Sequence, residues 1–118
     1  MPSGCADQDP PPSTEGIVKS CEMHESAATV VLEGQVDLVS AEEFEECLKR
    51  CHDAGCSFIT VDMSLVTFLD SVGLRVLLSP LRYLPLESLV VRAPSPQVKR
   101  LLQLTGLEYL IASGPPND

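Results

Sequence analysis

From Ile17 to Met23, and again from Ala27 to Glu33, the chain runs in residues that suit strands; His24, Glu25 and Ser26 between them make a polar break. Two such runs around a short polar break predict a β-hairpin. Gly34 ends the second run, and Ser40 followed by Glu43 matches a capping box, in which the hydroxyl and the carboxylate satisfy free amides at a helix start. A helix is expected from about Ala41. Ala41, Phe44, Leu48 and Cys51 then recur at spacings of three and four, one apolar stripe opposite a charged face, and Ala54 with Gly55 stops the helix. Ser57 to Met63 is rich in branched and aromatic types and reads as a central strand. A loop from Ser64 to Leu69 follows.

Asp70 or Ser71 can cap the next helix, whose apolar residues include Leu74, Leu77 and Leu78. Pro80 kinks or ends it, because proline removes one helical hydrogen bond and clashes with the preceding turn; Leu81 to Leu84 is a further short turn. Leu89 to Arg92 reads as a strand. Ser95 with Pro96 reads as a cap plus first-turn proline, and Val98, Leu101, Leu102 and Leu104 form the buried face of a third helix ending at Gly106. Leu107 to Ile111 is expected to be a last short strand. Strands alternating with helices predict one α/β domain, a mixed, mostly parallel sheet of about five strands with an N-terminal antiparallel hairpin and three helices. Residues 17–112 form that domain, between a proline-rich disordered leader (residues 1–16) and a flexible tail (residues 113–118).

Composition narrows the chemistry. The 118 residues suit a single core, and a hydrophobic fraction of 44% with only 4% aromatics and no Trp leaves Leu, Val, Ile and Ala to fill it. Seventeen acidic against eight basic residues give a formal charge of -9, which repels phosphate backbones and anionic lipid, so direct nucleic-acid binding is not expected. No run approaches the about 18 to 20 apolar residues of a bilayer span, and no basic-then-apolar leader begins the chain, so a cytoplasmic protein is expected. Cys5, Cys21, Cys47, Cys51 and Cys56 show no paired C-x-x-C spacing and read as reduced thiols. Cys47 and Cys51, four apart on a helix, and Cys56 admit a redox bridge or a shared metal, but core packing fits them better. No metal or cofactor is assigned. His24 and His52 lack a nucleophile or ligand pattern, no P-loop, Gly-x-Gly-x-x-Gly run or Ser/His/Asp set occurs, and Asp62, at a strand end, receives no catalytic part.

The informative segment is Val61 to Leu74, a hydrophobic strand running into Asp70-Ser71 at a helix start. Free amides and the positive end of the helix dipole gather there, so a phosphate on Ser71, adding about -1.5 to -2 charges, needs no metal or glycine-rich cradle. A plain helix cap accounts for the same two residues.

Asp70-Ser71-Val72-Gly73-Leu74 resembles the Asp-Ser-x-Gly-Leu signature of anti-sigma factor antagonists, members of the STAS domain family. Leu32 to Asp37 followed by Ser40-Ala41 resembles that family's turn before its first helix, and Ser95 to Leu102 with Thr105-Gly106-Leu107 resembles its penultimate helix and following turn. The likeness covers roughly residues 17 to 111. It implies a non-enzymatic regulator that captures an anti-sigma factor with serine kinase activity, frees a sigma factor, is released by phosphorylation at Ser71, and is reset by a phosphatase. It implies a partner surface of Asp37, Asp70, Ser71, Val72, Gly73 and Arg75 on the exposed side of the second helix. Val72 and Arg75 depart from the small residues common there, and Arg75 can pair with a phosphate, obstruct a usual partner or remain a solvated charge. The family's final helix has no counterpart after the last expected strand, which leaves one flank of the sheet uncovered or occupied by another protein and favours a homodimer. Two alternatives remain: a STAS docking subunit of a transporter or signalling scaffold with Ser71 unmodified, and an enzyme or small-ligand sensor.

Overall fold

In the computed structural model, residues 16–111 are described. All of the expected leader except Gly16, with its Cys5, and the expected tail lie outside the described residues. Four strands and three helices follow in order: β1 (Val18–His24), β2 (Ala27–Val36), α1 (Ala41–Asp53), β3 (Phe58–Leu69), α2 (Ser71–Leu78), β4 (Leu89–Arg92) and α3 (Pro96–Leu104). The sheet order is β1-β2-β3-β4, antiparallel between β1 and β2 and parallel elsewhere. The expected α/β architecture with an opening hairpin is present.

One face of the sheet is apolar and buried. Ala28, Val30 and Leu32 of β2 line up with Ile59, Val61 and Met63 of β3 and with Leu89 and Val91 of β4, since side chains two apart share a face. Ala41, Phe44, Cys47, Leu48 and Cys51 of α1, Val76 and Leu77 of α2, and Val98 and Leu102 of α3 join them in one core. The opposite face stays at least partly open to water, with Thr29, Val31, Thr60, Asp62 and Val90 half-buried.

Several local expectations are corrected. The run from Ser64 to Leu69 is not a loop but the second half of β3, because β2 does not end at Gly34. Gly34 adopts φ +100°, a left-handed conformation that glycine tolerates, and the register shifts there, so β2 continues to Val36 and pairs with Leu69. Asp62 consequently sits within β3, where the Arg92 guanidinium donates to it at 2.9 Å. Partial burial pushes its pKa up, but hydrogen bonds from Ser64 and Arg92 outweigh this and hold it below the usual carboxylate value.

The capping box does not form either. Ser40 is helical in backbone and gives α1 no side-chain cap, since its hydroxyl donates to the Gln35 carbonyl at 2.6 Å. The Glu43 carboxylate instead accepts the N–H groups of Ile17 and Val18, at 2.9 and 3.2 Å, and ties the entry of β1 to α1. Ser95 likewise makes no cap bond to α3; its hydroxyl is buried without a partner among the described residues. Among the described residues the sheet has four strands and not five. Leu107 to Ile111 forms a 3-10 turn at Glu108–Leu110, and only Ile111 bridges to Val91. Pro80 does end α2, and the chain passes into a 3-10 turn over Ser79–Arg82.

Candidate functional site

Asp37 and Asp70 follow the last residues of two paired parallel strands, Val36 and Leu69, so both emerge at the same end of the sheet. The Asp70 N–H donates to the Val36 carbonyl at 3.2 Å, which locks the start of α2 onto the end of β2. Loops at the carboxyl ends of parallel strands are where α/β proteins place their binding groups, because the strands stop there and the chain turns outward. The sequence set these residues 33 positions apart; strand register brings them together.

The Asp37 loop is built by its own side chains. Asp37 Oδ1 accepts the N–H groups of Val39 and Ser40 at 3.1 and 3.2 Å, and Ser40 Oγ accepts the Asp37 N–H at 3.0 Å. The Ser40 N–H foremost holds the Asp37 carboxyl below its ordinary value; desolvation opposes it, and the Ser40 hydroxyl and the Val39 N–H add to the lowering. This closed turn lifts Leu38 and Val39 into solvent at 72% and 85% exposure, more than any fold-forming role needs. An open groove of about 470 Å³ runs beside it, between the start of β1 and the end of β2, and reaches Asp37, Val39 and Ser40.

At the start of α2, Asp70 takes the cap. Its backbone is extended and its Oδ1 accepts the Gly73 N–H at 2.9 Å. Ser71 is the first helical residue and is exposed; among the described residues its hydroxyl is engaged in no hydrogen bond. Sequence left the cap open between Asp70 and Ser71, and the geometry gives it to Asp70. Arg75 stands one turn further along, exposed, at the i+4 spacing that faces Ser71. Val72 is half-buried against the core and Gly73 is buried, so these two shape the surface from beneath.

Gly73 has a steric cause. A Cβ there would stand 2.7 Å from both the Val36 carbonyl oxygen and Leu69 Cδ1, and 2.8 Å from Val36 Cγ1. Only glycine lets α2 approach the strand end this closely. Gln97, which sequence reasoning did not single out, completes the support: its Oε1 accepts the Leu69 N–H at 2.9 Å and its Nε2 donates to the Leu69 carbonyl at 3.3 Å. β4 pairs with β3 only as far as Asp62, so the α3 side chain replaces the missing strand at the residue preceding Asp70.

No set of acid, base and nucleophile converges at this end of the sheet among the described residues. An exposed, unspent hydroxyl at Ser71 thus follows Asp70 at the end of the sheet from which Asp37 and the exposed Leu38 and Val39 also emerge.

Comparison with known proteins agrees with this fold. A family model described as "Mlab, STAS domain" matches residues 20–112. The anti-sigma-B factor antagonist of Staphylococcus epidermidis is 28% identical over 90 residues, spanning 75% of this chain and 83% of the relative. The crystal structure of an anti-sigma factor antagonist from Mycobacterium paratuberculosis superposes with a TM-score of 0.74 at 27% identity, covering 89% of this chain and 92% of that one. The Bacillus cell fate determinant SpoIIAA in its phosphorylated form gives a TM-score of 0.66 at 20% identity, over 83% of this chain and 92% of that one, a likeness of fold.

Proposed function

Because this chain belongs to the STAS domain family, we propose that it is an anti-sigma factor antagonist, a cytoplasmic binding protein switched by phosphorylation of Ser71. One observation carries this above the others. Asp70 and not Ser71 caps α2, so the Ser71 hydroxyl is exposed and has no structural duty that modification would break. The relatives named as anti-sigma factor antagonists support the same assignment, and no helix of the described residues is long and apolar enough to cross a membrane.

The unmodified protein binds an anti-sigma factor with serine kinase activity through Asp37, the exposed Leu38 and Val39, and the outer side of α2 with Ser71 and Arg75. It is the acceptor of a phosphoryl group and not a catalyst. The kinase transfers phosphate from ATP to the Ser71 oxygen, the hydroxyl proton leaves to a base on the kinase, and ADP departs. A dianion then occupies the interface beside the carboxylates of Asp37 and Asp70, where it must shed water to be buried, and the complex opens. A phosphatase restores the hydroxyl.

The test is intact-mass and peptide mapping after incubation of wild type and Ser71→Ala with ATP and the serine-kinase anti-sigma factors encoded in the same genome. Phosphate is expected on Ser71 alone, absent from the variant, with weaker partner binding by the modified protein. If no such kinase modifies the protein and Ser71→Glu binds as wild type does, the switch is refuted and a constitutive docking subunit of a transporter or scaffold takes its place.

A further inference from the structure

Under α1, away from the residues assigned to partner binding, three thiols meet. The Sγ atoms of Cys21, Cys47 and Cys51 all lie within 4.8 Å of one another, and Cys21 Sγ is 3.7 Å from Cys51 Sγ. Cys47 and Cys51 are four apart on the apolar stripe of α1 and fully buried. Cys21 comes from the edge strand β1; it pairs with Val30, whose side chain faces the core, so alternation turns Cys21 toward the helix as well. Cys21 is half-buried and gives the cluster its opening to solvent.

Packing alone needs small apolar side chains here, and any of several would serve. What distinguishes three cysteines is a common point that three sulfurs can reach. A metal–sulfur bond of about 2.3 Å places three sulfurs around a trigonal ion about 4.0 Å apart. The 3.7 Å between the Cys21 and Cys51 sulfurs, and the 4.8 Å within which all three lie, admit that figure. The three thiols give up their protons to solvent as the ion binds.

We propose that Cys21, Cys47 and Cys51 form a three-sulfur site for a soft cation that accepts three ligands, Cu(I) above all. The donor set decides between metals. It contains sulfur only, with no His, Asp or Glu completing the group among the described residues. A closed structural zinc site takes four protein ligands, and an open one keeps a water that this largely apolar place does not favour; thiolates select Cu(I) by softness, and three-coordination satisfies it. Loading ties α1 to the edge strand and stabilises the fold, since the ion binds the assembled site and not the separated cysteines.

The full-length, fully reduced protein is titrated anaerobically with Cu(I), supplied as its acetonitrile complex, against a bicinchoninate competitor, and the loaded protein is examined by copper X-ray absorption. One ion per chain with about three sulfurs at about 2.3 Å is expected. Affinity is expected to fall roughly tenfold or more in Cys21→Ala and in Cys47→Val, the second of which nearly keeps the buried volume, and to stay unchanged in Cys5→Ala. Circular dichroism confirms that each variant is folded, so a binding loss is read on an intact domain. Failure to hold copper against the competitor, a shell of fewer sulfurs completed by lighter atoms, wild-type affinity in Cys21→Ala, or loss in Cys5→Ala would each overturn the site.

Discussion

Replacing Gly73 by alanine tests whether the close seat of α2 on the end of β2 is what organises the candidate surface. Helix propensity alone favours the change, by up to about 1 kcal/mol, because alanine loses less backbone entropy. Gly73 has no left-handed φ to defend. Sterics oppose it: the new methyl would stand 2.7 Å from the Val36 carbonyl oxygen and 2.8 Å from Val36 Cγ1. The carbonyl cannot yield freely, because it also accepts the Asp70 N–H. Relief therefore requires α2 to back away from the strand end, which stretches that hydrogen bond. Overpacking of this kind costs about 1–3 kcal/mol, more than the propensity gain in most of that range. A net loss of up to about 2 kcal/mol is expected in urea titrations monitored by far-UV circular dichroism, with the urea slope unchanged. Each kcal/mol lowers Tm by roughly 4–8 °C in a domain of this size. Partner binding should weaken too, since Asp70 and Ser71 move relative to Asp37. A Gly73→Ala protein as stable as wild type, or more so, would show that α2 can shift at no cost and would refute the argument.

Gln97→Leu leaves the Leu69 N–H and carbonyl without the amide that pairs them, a cost of about 1–3 kcal/mol for buried backbone groups. The Leu69 amide should exchange hydrogen faster while the β2–β3 amides stay protected; unchanged exchange at Leu69 would show the pairing to be dispensable. Asp37 gives a pH signature. Its carboxyl in the fold is held below the ordinary aspartate value of 3.8, so it adds stability that is fully present above pH 3.8 and is lost as pH falls further. Stability of Asp37→Asn should therefore fall less steeply than wild type below pH 3.8, although Asp62 keeps part of the slope in both; identical slopes would place the hydrogen bonds of that loop in the unfolded chain as well.

Periodicity carried the regular elements, and long-range partners account for what it missed. The stripe of α1 and the branched run of β4 are each settled by local spacing, and Pro80 ends α2 wherever it falls. Ser40 and Glu43 matched a local capping rule, but each found a better partner elsewhere: Gln35 for the hydroxyl, and the amides of Ile17 and Val18, more than twenty residues away, for the carboxylate. Ser64 to Leu69 reads locally as a loop; it is a strand because a left-handed Gly34 lets β2 run alongside it. Leu107 to Ile111 had the composition of a strand and found one bridging residue, not a ladder. The Asp-Ser pair and the Gly after it were legible as a unit. Why that Gly must be Gly was not, since its reason is the carbonyl of Val36. The thiol cluster divides the same way: the helix pair was visible as i and i+4, while the third member came from β1 and not from Cys56, which only packing could reveal.

The position of Ser71 separates two consequences of a phosphate. At the first turn of α2 the helix dipole favours a dianion by about 0.3–1 kcal/mol at an exposed place. A neighbouring carboxylate works against it by about 1 kcal/mol per pair of unit charges a few ångströms apart in water, less with salt. These effects oppose each other and are of one size, so the fold should tolerate the charge nearly unchanged. An interface offers no such cancellation. A partner closing over Leu38, Val39 and the outer side of α2 strips water from the phosphate, and an ion left without a partner in such a place costs several kcal/mol. Arg75 is the one cation that α2 itself carries to offset this. Even about 3 kcal/mol uncompensated weakens a complex roughly a hundredfold. An unspent hydroxyl on a helix already capped by its neighbour therefore puts the whole effect of modification into binding and almost none into stability, which is what a reversible switch requires.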